Sequence, residues 1–237
     1  MHQVLRTQRP AVGPIAADPA PRMSTVAKRW MPHAALLADG DWHVHSRWSN
    51  DAQGTIVDYC RQAQQNGLKL IAFTEHVRRR LLFDYRAFCD DVERAREAFP
   101  DLVILKGCEA KVLNAQGDLD APDDVLEQCE IMVGSFHSFP DPTAYVRAIE
   151  GMLRNPQVDI WGHPTLYAVR KGIPLDLATV EGLIDLCIQH QVLIEFNAKY
   201  RLPGDAMRAM VVDRRAKYVF GSDAHRVDAL RNRKDDR

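Results

Sequence analysis

From about residue 37 onward, short apolar runs alternate with longer stretches of helical period, a rhythm that points to repeated βα units around a parallel sheet. The apolar runs are Asp41 to His45, Leu68 to Phe73, Leu102 to Leu105, Ile131 to Phe136, Val158 to Trp161, Val192 to Phe196 and Tyr218 to Gly221. Parallel strands are buried on both faces and so read as nearly continuous apolar segments, as Leu70-Ile71-Ala72-Phe73 and Val192-Leu193-Ile194 do. Helical patterns fall near 55–66, 84–98, 142–154, 176–190 and 205–215. Seven strands with intervening helices predict an α/β fold closed into a barrel, a single catalytic domain over residues 37–237. Residues 1–36 hold Pro10, Pro14, Pro19, Pro21 and Pro32 among Ala and basic residues, show neither strand nor helix period, and are expected to form a loose extension.

In such a barrel, binding groups collect at the C-terminal ends of the strands. Those ends carry, in order, His43 and His45, His76, Glu109, His137, His163, and Asp223 with His225; the sixth strand supplies none. Side chains at i and i+2 of a strand share a face, so His43 and His45 can reach one ion, as can Asp223 and His225. Alone, an H-x-H pair also occurs with no ligand role. In a closed barrel, however, the first and last strands are neighbours and the two pairs meet. Glu109 among imidazoles would be costly unless paired or metal-bound, and a carboxylate there can bridge two ions. Asp51 follows the first strand within Ser49-Asn50-Asp51; by itself it reads as a turn residue.

The 46% hydrophobic and 27% charged fractions are those of a chain with a substantial core. With 31 Lys plus Arg against 32 Asp plus Glu, no global field favours nucleic acid or an anionic membrane, so any phosphate recognition must be local. No run is long enough to span a bilayer. The five cysteines show no C-x-x-C spacing, which excludes a zinc ribbon and fits a reduced, cytoplasmic setting. The basic residues Arg6, Arg9, Arg22, Lys28 and Arg29 leave a targeting role for the extension open beside that of a plain tail.

The blocks Asp41-Trp-His43-Val-His45-Ser46, Ser49-Asn50-Asp51-Ala52 and Phe73-Thr74-Glu75-His76 resemble the first motifs of the PHP family, named for polymerase and histidinol phosphatase. Gly107-Cys108-Glu109, Gly134-Ser135-Phe136-His137-Ser138, Gly162-His163-Pro164 and Gly221-Ser222-Asp223-Ala224-His225 resemble its later ones. The resemblance runs from about Asp41 to His225 and implies a distorted, TIM-barrel-like (β/α)7 barrel with two or three divalent ions, zinc, manganese or iron. Carried over by position, it gives the first ion His43, His45, Glu109 and Asp223, the second Glu109, His137 and His163, and the third Asp51, His76 and His225. Asp51 stands where some members carry His, although Asp occurs there too, and its oxygens lean slightly toward a harder ion such as Mn²⁺ or Fe²⁺. The implied activity is hydrolysis of a small phosphorylated substrate, a monoester first and a diester second, by a metal-bridging hydroxide, with Glu109, Asp223 and His163 central to catalysis.

Arg170 and Lys171 after the fifth strand, with Lys199 and Arg201 after the sixth, are candidate phosphate contacts, beside the alternative of solvated loop charge. The same alternative applies, with more force, to Arg78-Arg79-Arg80. Asp41, Asn197 and Glu195 are candidates to orient ligand imidazoles, although Glu195 also fits a buried structural pairing. Cys108 is expected to face the core. Two other readings compete with the phosphoesterase. An amidohydrolase-type barrel would leave Glu109, Asp51 and His225 without work, and a non-catalytic metal-binding module would not keep every ligand. Oligomeric state is not legible. The chain stops at Arg237, where a helix closing the barrel would normally follow the seventh strand.

Overall fold

The computed structural model describes residues 27–232. The expectation of a loose extension therefore lies largely outside the described residues. Seven parallel strands follow one another in chain order: β1 Gly40–Val44, β2 Leu70–Val77, β3 Val103–Lys111, β4 Ile131–Ser135, β5 Ile160–Trp161, β6 Leu193–Asn197 and β7 Tyr218–Gly221. Just beyond β7 the chain returns to β1: the Asp223 amide donates to the His43 carbonyl (2.8 Å), and the His45 amide to that of Ala224 (2.9 Å). The (β/α)7 barrel expected from the strand rhythm is thus present and nearly closed.

Seven helices lie between the strands: α1 Ile56–Gln65, α2 Tyr85–Ala98, α3 Asp123–Gln128, α4 Tyr145–Arg154, α5 Leu166–Lys171, α6 Leu177–His190 and α7 Asp205–Asp213. Thr55, Asp84 and Asp176 cap α1, α2 and α6 by accepting from backbone amides that would otherwise be orphaned. The sequence pattern misses α3 and α5, each six residues long. Among the described residues no closing helix follows β7. Instead a short 3-10 turn, Val227–Ala229, carries the chain back beneath β1, where the Arg231 amide donates to Asp41 and its guanidinium to the carbonyls of Ala38 and Gly40.

Alternation along the strands sorts side chains into two apolar layers. Trp42, Leu70, Ala72, Leu105, Ile131, Val133, Ile160, Leu193 and Val219 fill the barrel, and the intervening residues, Cys108 among them, pack under the helices. The interior is stoppered at its N-terminal end by a segment that composition assigned to the extension. Trp30 is buried there, its indole donating to the Gln191 carbonyl, and Arg29 pairs with buried Asp159 at 3.1 Å. Within this segment Lys28 and Trp30 are buried and Met31 and Leu36 pack partly against the plug, through tertiary contacts that no local periodicity announces.

One irregularity positions the site. Asp41 pairs with Ile71 but Val44 pairs with Phe73, so β1 carries one extra residue between them. This β-bulge lets Trp42 plug the barrel while His43, its neighbour, also faces inward. Among the described residues no helix is long and apolar enough to cross a membrane.

Exposed Gly182 lies inside α6, and a Cβ placed there meets nothing within 4 Å. Gly182→Ala is expected to stabilise the fold by about 0.5–1 kcal/mol, read as a higher urea midpoint with an unchanged slope.

Candidate metal centre

Inward-facing positions above the apolar plug bring the expected residues together. The His43 and His45 Nε2 atoms stand 3.0 Å apart, and Glu109 Oε2 lies 3.6 Å from each. Nitrogen and oxygen ligands at the corners of a zinc tetrahedron with bonds near 2.0–2.1 Å are about 3.3 Å apart, so these spacings suit one ion. The other Glu109 oxygen, Oε1, is 2.9 Å from His163 Nε2 and 3.7 Å from His137 Nδ1. One carboxylate therefore addresses two nitrogen clusters with two different oxygens. Three groups, His43/His45/Glu109, Glu109/His137/His163 and His45/His76/His225, have ligand atoms within 4.8 Å of one another and could each hold a metal ion.

Asp51 is more exposed than the rest, but its two oxygens lie 3.4 Å from His76 Nε2 and 3.5 Å from His225 Nε2. Asp223 Oδ1 lies 3.5 Å from His45 Nε2. His76 Nδ1 and Glu109 Oε2 approach to 2.9 Å without the alignment of a hydrogen bond. Both, with His163 Nδ1, are buried polar atoms lacking a hydrogen-bond partner among the described residues. Buried, unsatisfied and convergent nitrogen and oxygen donors are what a divalent ion would satisfy, and the mixed set suits zinc, manganese or iron.

The electrostatics follow from crowding. Burial raises the cost of charge on His43, but Glu195, Glu109 and Asp223 outweigh it and hold its pKa well above the usual imidazole value. For His45, burial and the neighbouring imidazoles of His76 and His43 act together and push it well below. Burial lowers His137 to about 4. Glu109 is held well below the usual carboxylate range, because the charge of His43 and the hydrogen bond with His163 overcome desolvation.

Behind these groups stands a second layer. Glu195, fully buried on β6, accepts from His43 Nδ1 at 2.9 Å, from Asn197 Nδ2 at 3.0 Å and from the backbone amide of His163. In the neutral ring this contact keeps the proton on Nδ1 and leaves Nε2 with a lone pair that could ligate. Asn197 also donates to Asp223 Oδ2 at 3.4 Å. Against expectation, the Asp41 carboxylate meets no imidazole; it accepts from the backbone amides of Ser222 (2.9 Å), Arg231 (3.1 Å) and His43 (3.4 Å), pinning the barrel seam. His163 and Asp223 both adopt positive φ, 26° and 52°, a conformation non-glycine residues seldom hold, although Thr165, Gln191, Arg201 and Arg215 share it here.

Sequence reasoning left Glu75 without a role. It points away from the interior, where burial raises its pKa to about 7 against the hydrogen bonds it receives from Ser46 and Ser49. Ser49 in turn accepts from the His76 amide and lies 3.4 Å from His45 Nδ1. A carboxylate in an otherwise apolar strand, with serines in the preceding loop, is the signal that could have found it. Tyr200 was also missed: its ring lies 5.5 Å from that of His163.

The candidate phosphate contacts separate. Lys199 Nζ reaches Asp223 Oδ1 at 3.1 Å, and both it and Arg170 lie 5.3 Å from the Tyr200 ring. Arg201 and Lys171 are exposed and form no salt bridge among the described residues. The Arg78 guanidinium pairs with Asp120 at 3.8 Å, the Arg79 backbone amide donates to the same carboxylate, and the Arg79 and Arg80 residues are exposed.

A PHP domain family model matches residues 41–201. A probable phosphatase of Thermoanaerobacter sp. (strain X514) is 27% identical over 198 residues, 78% of each chain. The DNA polymerase/3'-5' exonuclease PolX of Bacillus subtilis is 30% identical over 203 residues, 81% of this chain but 35% of that protein. Among solved structures, histidinol phosphate phosphatase from Lactococcus lactis, complexed with zinc, L-histidinol and phosphate, superposes with a TM-score of 0.61 at 15% identity, covering 83% of this chain and 89% of that one. The fold is shared with that enzyme, and by the extent of the family match this chain belongs to the PHP family.

Proposed function

We propose that the protein is a metal-dependent phosphoesterase acting on a small phosphorylated substrate, with monoesters preferred. The observation that carries this reading is Glu109, which aims one oxygen at His43 and His45 and the other at His163 and His137. Relatives named as phosphatases and a structural neighbour holding zinc and phosphate support it. In this reading His43, His45, Glu109 and Asp223 hold a first ion, Glu109, His137 and His163 a second, and Asp51, His76 and His225 a third. Divalent ions bound there would supply an acidified water and positive charge against the phosphoryl oxygens. The protein's part is positioning: Glu195 holds His43, Asn197 holds Asp223, and Lys199 with Arg170 offers cationic donors at the edge of the cluster to the ester's remaining oxygens. The apolar plug closes the barrel below the ligands, so the substrate enters from the strand C-termini.

The likeness to PolX favours a diester as the second reading. One experiment separates them. The full chain is stripped with a chelator, resupplied with Zn²⁺, Mn²⁺ or Fe²⁺, and assayed against phosphomonoesters and diesters of matched leaving groups. Stripping is expected to reduce turnover by at least about 10²-fold and resupply to restore it, with monoesters the better substrates. A metal-replete protein inert toward both classes sinks the phosphoesterase reading, and diester preference sinks the monoester assignment.

A further inference from the structure

Lys199 lies beside Asp223 at the edge of the cluster. It sits on a turn held by the β6 backbone: Asn197 and Leu202 exchange amide-to-carbonyl bonds of 2.7 and 3.1 Å, the Ala198 amide donates to the Gly221 carbonyl, and the Tyr200 amide donates to the Asn197 side chain. From there its ammonium reaches Asp223 Oδ1 at 3.1 Å and His225 Nδ1 at 3.2 Å. Asp223 Oδ1 is also the oxygen turned toward His45 Nε2, at 3.5 Å. An ion held by His43, His45, Glu109 and Asp223 would draw on the charge that Lys199 already uses, and two cations around one oxygen repel. Lys199 is not locked in place. Its side chain is 36% exposed, lies 5.3 Å from the Tyr200 ring, and forms part of the wall of a cleft of about 430 Å³ shared with Ser222, Asp223 and His225.

We infer that Lys199 is an internal competitor of the divalent ion at Asp223, and that a phosphate anion relieves the competition by giving the ammonium a second partner. Bound phosphate then strengthens ion binding through Lys199, and bound ion strengthens phosphate binding by the same factor, since such coupling is reciprocal. The inference rests on the phosphoesterase reading for its anion and on the distances above for its cation.

The test is Mn²⁺ titration of the chelator-stripped full chain by calorimetry, with and without saturating inorganic phosphate, for the native chain, Lys199→Met and Lys199→Arg. Without phosphate, Lys199→Met is expected to bind Mn²⁺ about tenfold more tightly than the native chain, and the strengthening by phosphate is expected to shrink by a similar factor. Lys199→Arg keeps the charge and is expected to keep the native pattern. Equal or weaker Mn²⁺ binding by Lys199→Met overturns the competition, undiminished strengthening by phosphate overturns the coupling, and an Arg variant that behaves like Met overturns the role of charge. No turnover is needed. Failure to hydrolyse any ester would remove the phosphoesterase reading, while the titrations would still decide the role of Lys199.

Discussion

Glu109→Gln is expected to lower kcat/KM by at least roughly 10³-fold and to reduce the bound divalent metal by more than one equivalent. The two carboxylate oxygens serve different nitrogen clusters, Oε2 near His43 and His45 and Oε1 near His163 and His137, so one substitution acts on two sites at once. The amide is the same size but carries no charge, and its NH₂ would turn donors toward whichever cluster it faces. Its effect should therefore exceed that of His137→Ala, which touches a single group. Elemental analysis of the purified variants against the native chain, with steady-state rates on the best ester, checks both parts. Native metal stoichiometry with kcat/KM within tenfold of the native value would show that Glu109 bridges nothing.

That the centre could be located from sequence follows from how few side chains ligate metals. His43, His45, His76, Glu109, His137, His163 and Asp223 fall at or near the C-terminal ends of six of the seven apolar runs, where parallel strands buried on both faces most readily place polar residues. The geometry behind them was less legible. The bulge in β1 adds one residue between Asp41 and Val44 and leaves no mark in composition, yet it lets both Trp42 and His43 face inward. The Trp30 stopper depends on contacts with residues far along the chain, such as Gln191 and Asp159, which no local pattern reports. Helices α3 and α5 are too short for a 3.6-residue period to be told from a polar loop. The role expected of Asp41 differs from the one observed because motif position shows that a residue is near the ligands but not which donors its carboxylate meets; here they are the backbone amides of Ser222, Arg231 and His43, not a ring nitrogen.

The second large effect lies at a residue with no side chain. A Cβ at Gly221, the last residue of β7, would fall 2.0 Å from Glu195 Oε1 and 2.8 Å from the His43 Cβ. Glu195 cannot yield, because it is fully buried and held by His43 Nδ1, Asn197 Nδ2 and the His163 amide. Gly221→Ala must therefore move the strand or break hydrogen bonds to a buried carboxylate. Overpacking of this kind costs about 1–3 kcal/mol, and loss of one hydrogen bond to a charged group about 1.5–3 kcal/mol more, so a net destabilisation of about 3 kcal/mol is expected for the metal-free protein. Because Glu195 sets the tautomer of His43, metal affinity should also fall by roughly 10- to 100-fold, the usual cost of disturbing a residue that orients a ligand. Urea unfolding of the stripped protein and Zn²⁺ titration of the same sample check the two effects. Gly182→Ala, where the added methyl meets open space, is the matched control for glycine loss alone. If Gly221→Ala unfolded and bound Zn²⁺ like the native chain, Glu195 would have to be free to move, and its assignment as the residue that fixes His43 would fall.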